Sequence, residues 1–139
     1  MFIYSKVKPD VLLHGIFSKS DWDDLSSPRR DLSNPNEFLQ IATIDIPAGK
    51  QFLAHRHIFH KIDHTEMIAQ ESWVVVEGQV EVSYFDLDDT LLSMHILSAG
   101  ELSYTFFGGH SYKGVSERSK VFEFKSGPYL GQEKDKVFI

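Results

Sequence analysis

The chain has no cysteine, so disulfides and thiolate ligands are excluded and any metal must sit on nitrogen and oxygen donors. It has no basic excess either. Its 14 Lys and Arg face 20 Asp and Glu, a formal net charge of -6, whereas a nucleic-acid surface needs clustered positive charge to displace counterions. No apolar run approaches the length of a membrane span, and Met1-Phe-Ile-Tyr-Ser-Lys-Val-Lys lacks the charged region and apolar core of a secretory signal. A soluble, cytoplasmic protein is expected. Helical periodicity is almost absent, and there is no internal repeat, linker or low-complexity block. What remains is one ordinary domain, residues 1–139, whose 42% hydrophobic and 13% aromatic composition is enough for a core.

Alternating patterns fill that space. Phe2 to Val7 and Val11 to Phe17 read as short strands around a Pro9-Asp10 turn, and Phe38 to Ile46 as a core strand with two fairly apolar faces. Trp73 to Val76 is a β-branched run ended by Glu77-Gly78, and Gln79 to Tyr84 alternates strictly as its expected hairpin partner. Leu91 to Leu97, Leu102 to Phe107 and Val121 to Lys125 complete the set. Eight or more short strands separated by turns predict an all-β sandwich or barrel with little helix. The one helical start is Ser20-Asp-Trp-Asp-Asp-Leu, ahead of a breaker-rich loop from Ser26 to Asn36. Asp21, Asp23 and Asp24 there read as a solvated helix start rather than a cation site. Asp86-Leu-Asp-Asp-Thr reads as a turn, lacking the Gly and distal Glu of a calcium loop.

The chemistry gathers between Gly49 and Gly78. In an extended strand alternate side chains share a face, so His55 and His57 can aim two imidazoles at one point while Arg56 turns away. Glu71 can add a carboxylate from the next strand. Two further histidines, His60 and His64, lie in the intervening stretch, where a surface loop over the mouth of the site is the simpler reading than direct ligation. Gly108-Gly109 lets the backbone approach something closely, and His110 follows at once. On residues alone, His110 reads equally well as inward-reaching or as a solvated turn histidine.

Gly49, five residues, His55-x-His57, later Glu71, six residues and Gly78 resembles the first motif of the cupin superfamily. Ile58 to Gln70 form an insertion between the second His and the Glu relative to that pattern. Gly100 to Gly114 is similar to the second motif, with Gly108 in register, Phe106 in place of Pro, His110 one residue early and Gly114 in the Asn position. From the start of the first to the end of the second, the two stretches span about half of the chain. The tail from Ser126 is faintly similar to those of small cupins from surface-polysaccharide pathways.

The resemblance implies a double-stranded β-helix (jelly-roll) barrel over about residues 38–125, with the N-terminal strands and C-terminal tail packed on it. It further implies that His55, His57, Glu71 and His110 converge as metal ligands, with His55, His57 and Glu71 doing the chemistry. Two or three imidazoles and a carboxylate suit a divalent Fe, Mn, Ni, Zn or Co ion. The expected activity is a metal-dependent isomerase or dioxygenase acting on a small oxygenated substrate such as a sugar or sugar acid. Two alternatives stay open: a metal-free sugar-nucleotide ketoisomerase or epimerase with His55 or His57 as base, and a non-catalytic small-molecule sensor. Small cupins are commonly homodimers, and Phe2 with Tyr4 on one face of an edge strand is the expected pairing surface.

Overall fold

The computed structural model describes residues 1–23, 27–34, 36–44, 47–48, 50–51, 53–56, 67–126 and 131–139. Among them the alternating segments become strands β1 (Phe2–Tyr4), β2 (Leu12–Phe17), β3 (Arg29–Asp31), β4 (Ala42–Ile44), β5 (Glu71–Glu77), β6 (Gln79–Phe85), β7 (Leu91–Ser98), β8 (Leu102–Thr105), β9 (His110–Gly114) and β10 (Lys120–Lys125). Helix is limited to a 3-10 turn at Lys19–Trp22 and the single-turn α1 (Gln132–Asp135). No helix among the described residues is long and apolar enough to cross a membrane.

The strands form three open antiparallel sheets, ordered β1-β2-β8-β5-β10, β7-β6-β9 and β3-β4. β5 and β6 follow one another in the chain yet lie in different sheets, so the expected hairpin between them is not formed. The corner is Gly78, at φ +75°, where a Cβ would stand 2.2 Å from the Arg118 carbonyl oxygen; only glycine turns there without moving the neighbouring loop. The same crossing recurs from β7 to β8 and from β9 to β10. Three two-strand arms, β5/β6, β8/β7 and β10/β9, therefore lie side by side, and residues of both sheets meet in one core cluster.

Register makes that interior layered. From one end Val75, Val80 and Leu97 pack with Ile16, Val82 and, toward the other end, Tyr84, and Ile3, Tyr112 and Val121 flank them. At the other end Lys125, Glu71, Thr105 and His14 lie in one cross-strand row of the larger sheet, and His110, Tyr84 and Ser93 in the corresponding row of the smaller one. One end is apolar and the other polar. On the outer face of the larger sheet, Phe17, Leu32, Tyr104 and Phe106 form a second core, and Tyr104 lies where a Cβ on Gly15 would collide with its ring.

Several expectations are revised. The core strand expected over 38–46 is reduced among the described residues to β4, which pairs there with β3 in the expected loop; Asp45 and Ile46 lie outside the described residues. The helical start moves to Lys19–Trp22, where the Asp21 carboxylate accepts from the Ser18 amide at 2.7 Å and the Ser18 hydroxyl at 2.8 Å. Asp21 is thus committed to the turn, as the solvated-start reading required, and Asp24 lies outside the described residues. The strand β9 was not anticipated, because Ser111-Tyr-Lys carries only one apolar side chain.

Two buried polar groups tie this end together. Asp86 closes its turn with its amide on the Thr90 carbonyl at 2.8 Å, and its carboxylate accepts from the Ser5 hydroxyl at 2.5 Å and the amides of Lys6, Leu87 and Val7 at 2.6, 2.7 and 3.3 Å. Burial alone would raise its pKa, but these donors outweigh it and hold the group at about 2. His14, fully buried, stacks on Tyr84 with centroids 4.4 Å apart. Its Nε2 lies 3.0 Å from the Phe85 carbonyl oxygen and its Nδ1 3.0 Å from the Thr105 hydroxyl. A carbonyl only accepts, so Nε2 carries the proton and Thr105 donates to Nδ1. Burial is the main force lowering the His14 pKa from 6.5 to about 4.

The sign of the acid response follows. Between pH 6.5 and 4 the unfolded chain binds a proton at His14 that the folded chain refuses, so stability falls as pH drops through that window. The Asp86 contribution is present above 3.8 and is lost as pH falls toward 2. His14→Gln is expected to be less stable than wild type at pH 7 and to flatten the dependence above pH 4 by on the order of 2–3 kcal/mol. Urea midpoints at pH 7, 5.5 and 4 check this, and an unchanged slope in the variant would remove His14 as its source.

Candidate active site at the polar end of the sandwich

Glu71 opens β5 and its side chain turns inward, in the same phase as Trp73 and Val75. An isolated carboxylate there would be costly, and three neighbours answer it. The Trp73 indole N–H donates to Oε1 at 2.8 Å, His110 Nε2 stands 3.3 Å from the same oxygen, and Lys125 Nζ stands 3.8 Å from Oε2. Burial pushes the Glu71 pKa up; the His110 bond and charge, the indole and Lys125 together more than reverse it, and the net direction is down. Glu71 is a carboxylate at neutral pH. Lys125 is also paired with Asp135 of α1, which raises its pKa against the opposing effect of burial.

Trp73 in turn stacks on Tyr112, centroids 3.9 Å apart and planes 6° from parallel, and the Tyr112 hydroxyl meets Ser103 Oγ at 2.9 Å. The indole is therefore fixed from both sides of the sandwich. His110 begins β9 opposite Tyr84. Because a carboxylate only accepts, a neutral His110 places its proton on Nε2, and Nδ1 presents a bare lone pair; that atom is buried and has no hydrogen-bond partner among the described residues. The approach anticipated at the two glycines is real. A Cβ on Gly108 would lie 2.5 Å from the Phe85 carbonyl oxygen and 3.1 Å from His14 Nε2, and one on Gly109 would lie 2.5 Å from Ile139 Cδ1.

Of the four expected ligands, the structure brings Glu71 and His110 together. His55 is exposed and outside any strand, with Nδ1 2.9 Å from its near neighbour's carbonyl, Leu53 O, so the strand geometry expected of His-x-His does not hold at this residue. His57 lies outside the described residues, as do Gly49, His60 and His64. Among the described residues no three His, Asp or Glu side chains form a metal-holding group. Glu71 Oε1 and His110 Nε2, 3.3 Å apart, are donor types that suit such an ion once Nε2 gives up its proton, since two donors bonded at about 2.1 Å to one metal sit about 3.0 to 3.4 Å apart.

Trp73, Lys125, Tyr112 and His14 were not anticipated as parts of the site. Trp73 carried a signal, being two residues after Glu71 and so on its face. Lys125 and Tyr112 depend on cross-sheet register that no local pattern encodes. Compared with known proteins, the chain matches no family model, no curated protein and no solved structure.

Proposed function

We propose that this chain is a cupin-type jelly roll that binds a divalent transition metal (Fe, Mn, Ni, Zn or Co) and acts on a small oxygenated substrate such as a sugar or sugar acid, as an isomerase or dioxygenase. The observation that carries this reading is the contact between the Glu71 carboxylate and His110 Nε2 at the polar end of a sandwich whose three arms link both sheets. Glu71 and His110 would hold the ion, with His55 and His57 completing the set from the preceding segment. The bound ion would supply Lewis acidity toward a substrate oxygen. Trp73 fixes the Glu71 rotamer, Lys125 keeps the carboxylate ionised, and the Trp73–Tyr112 stack forms an apolar wall beside the pair.

A second reading is favoured by the bare His110 Nδ1. In the neutral tautomer that turns Nε2–H to Glu71, His110 would be a base oriented by a carboxylate, suited to take an α-proton in a metal-free isomerisation. Metal content of purified protein separates the two. Under the metal reading Glu71→Gln, which keeps size and loses charge, yields substoichiometric metal in a folded protein, and His55→Ala with His57→Ala strips it. Equal metal in wild type and Glu71→Gln would show that Glu71 is not a ligand; no metal in either, with activity lost in His110→Ala, would select the base.

The proposal includes a homodimer formed at the outer edge of β1. Phe2 and Tyr4 are 44% and 51% exposed on that edge strand, whose outward backbone groups offer a ladder to a second copy. Light scattering at micromolar concentration should give twice the 15.9 kDa chain mass, and Tyr4→Pro should halve it. A monomeric mass for the wild type would refute the assignment.

A further inference from the structure

The C-terminal segment has contacts on both sides of the Glu71–His110 pair. On one side Asp135 of α1 pairs with Lys125, whose ammonium also faces Glu71; both partners are mostly buried, at 18% and 10% side-chain exposure. On the other side the tip of the Ile139 side chain, a residue 62% exposed, lies over Gly109, the residue before His110, its Cδ1 2.5 Å from where a Cβ would stand. Between these anchors Val137 and Phe138 are 88% and 77% exposed, which is not the state of a segment packed into a core. The segment begins at Gly131, at φ +101°, with nothing described within 4 Å of where a Cβ would stand. That is a left-handed, uncrowded glycine at the root of a doubly anchored segment.

We propose that Gly131–Ile139 is a strap across the mouth of the Glu71–His110 site, hinged at Gly131 and latched by Asp135 on Lys125 and by Ile139 on Gly109, and that ligands enter when it lifts. In the latched form Nδ1 of His110 is buried, while the side chain as a whole is 23% exposed. Asp135 is a positioning residue, acting on Glu71 through Lys125. Val137, Phe138 and Ile139 stay mostly exposed in the latched form, so opening belongs to the low-energy local motions of a fold rather than to global unfolding. The inference rests on Glu71 and His110 being the site, and it is read without reference to metal or turnover.

Carbethoxylation by diethyl pyrocarbonate attacks an unprotonated, accessible imidazole nitrogen, and mass spectrometry of the full chain resolves each histidine. Asp135→Asn and Ile139→Ser are each expected to speed modification of His110 by about tenfold relative to exposed His55 in the same sample, while Asp135→Glu, which keeps the latch charge, stays near wild type. Buried His14 reports global loosening. If it accelerates in Asp135→Asn, the Ile139→Ser variant decides, since that side chain is 62% exposed and lies over Gly109. An unchanged His110 rate in Ile139→Ser and in the Asp135→Asn/Ile139→Ser double variant overturns the strap. The proposed function fails separately: equal metal in Glu71→Gln and wild type leaves the accessibility result standing.

Discussion

A carboxylate placed between two sheets must be met by donors from both, and Glu71 sets that demand. Its indole donor comes from its own strand, its imidazole from the facing sheet and its ammonium from the edge strand. These partners arrive only if β5, β9 and β10 hold their registers to the residue, because a slip of one would turn Trp73, His110 or Lys125 to the opposite face. The apolar layer of Val75, Val80 and Leu97 holds that register from the other end. Packing fixes the frame, and the polar layer uses it.

The three arms explain why consecutive strands part company. A hairpin at Gly78 would have put Glu71 and Val80 in one sheet and left both sheets without a wall. By crossing at each arm, the chain brings residues of both sheets into one core cluster, and the first corner is crowded enough to need glycine. Gly78 stands there, pressed against the Arg118 carbonyl. At the opposite end Asp86 plays the complementary part, gathering the amides of Lys6 and Val7 so that β1 and β2 are held to the smaller sheet.

Strand existence was legible because burial on one face leaves a two-residue period, which is why Gln79 to Tyr84 and Leu91 to Leu97 read correctly. Pairing was not, since period alone does not say whether Gly78 reverses a strand in its sheet or carries it into the next. The turn at Asp86 was read from its residues, but the buried role of that carboxylate required Ser5, eighty-one residues away. Glu71 and His110 were named as ligands through motif spacing, and the structure brings them to 3.3 Å of one another. His55 was placed by strand alternation, and alternation has no meaning where the chain is not a strand. β3 was hidden because Arg29-Arg-Asp is exposed throughout and so carries no burial pattern.

Of the chain's two tryptophans, Trp22 sits edge-on to Phe17 at the surface, while Trp73 lies flat on Tyr112 with its N–H on Glu71. The excited state of an indole is sensitive to a negative charge at its pyrrole edge and to a stacked phenol that quenches it. Neutralising Glu71, withdrawing it toward a bound cation or sliding Tyr112 would each alter both influences at once. The molecule thus carries an intrinsic optical readout of its own interior charge, set by the same hydrogen bond that makes the carboxylate tolerable there.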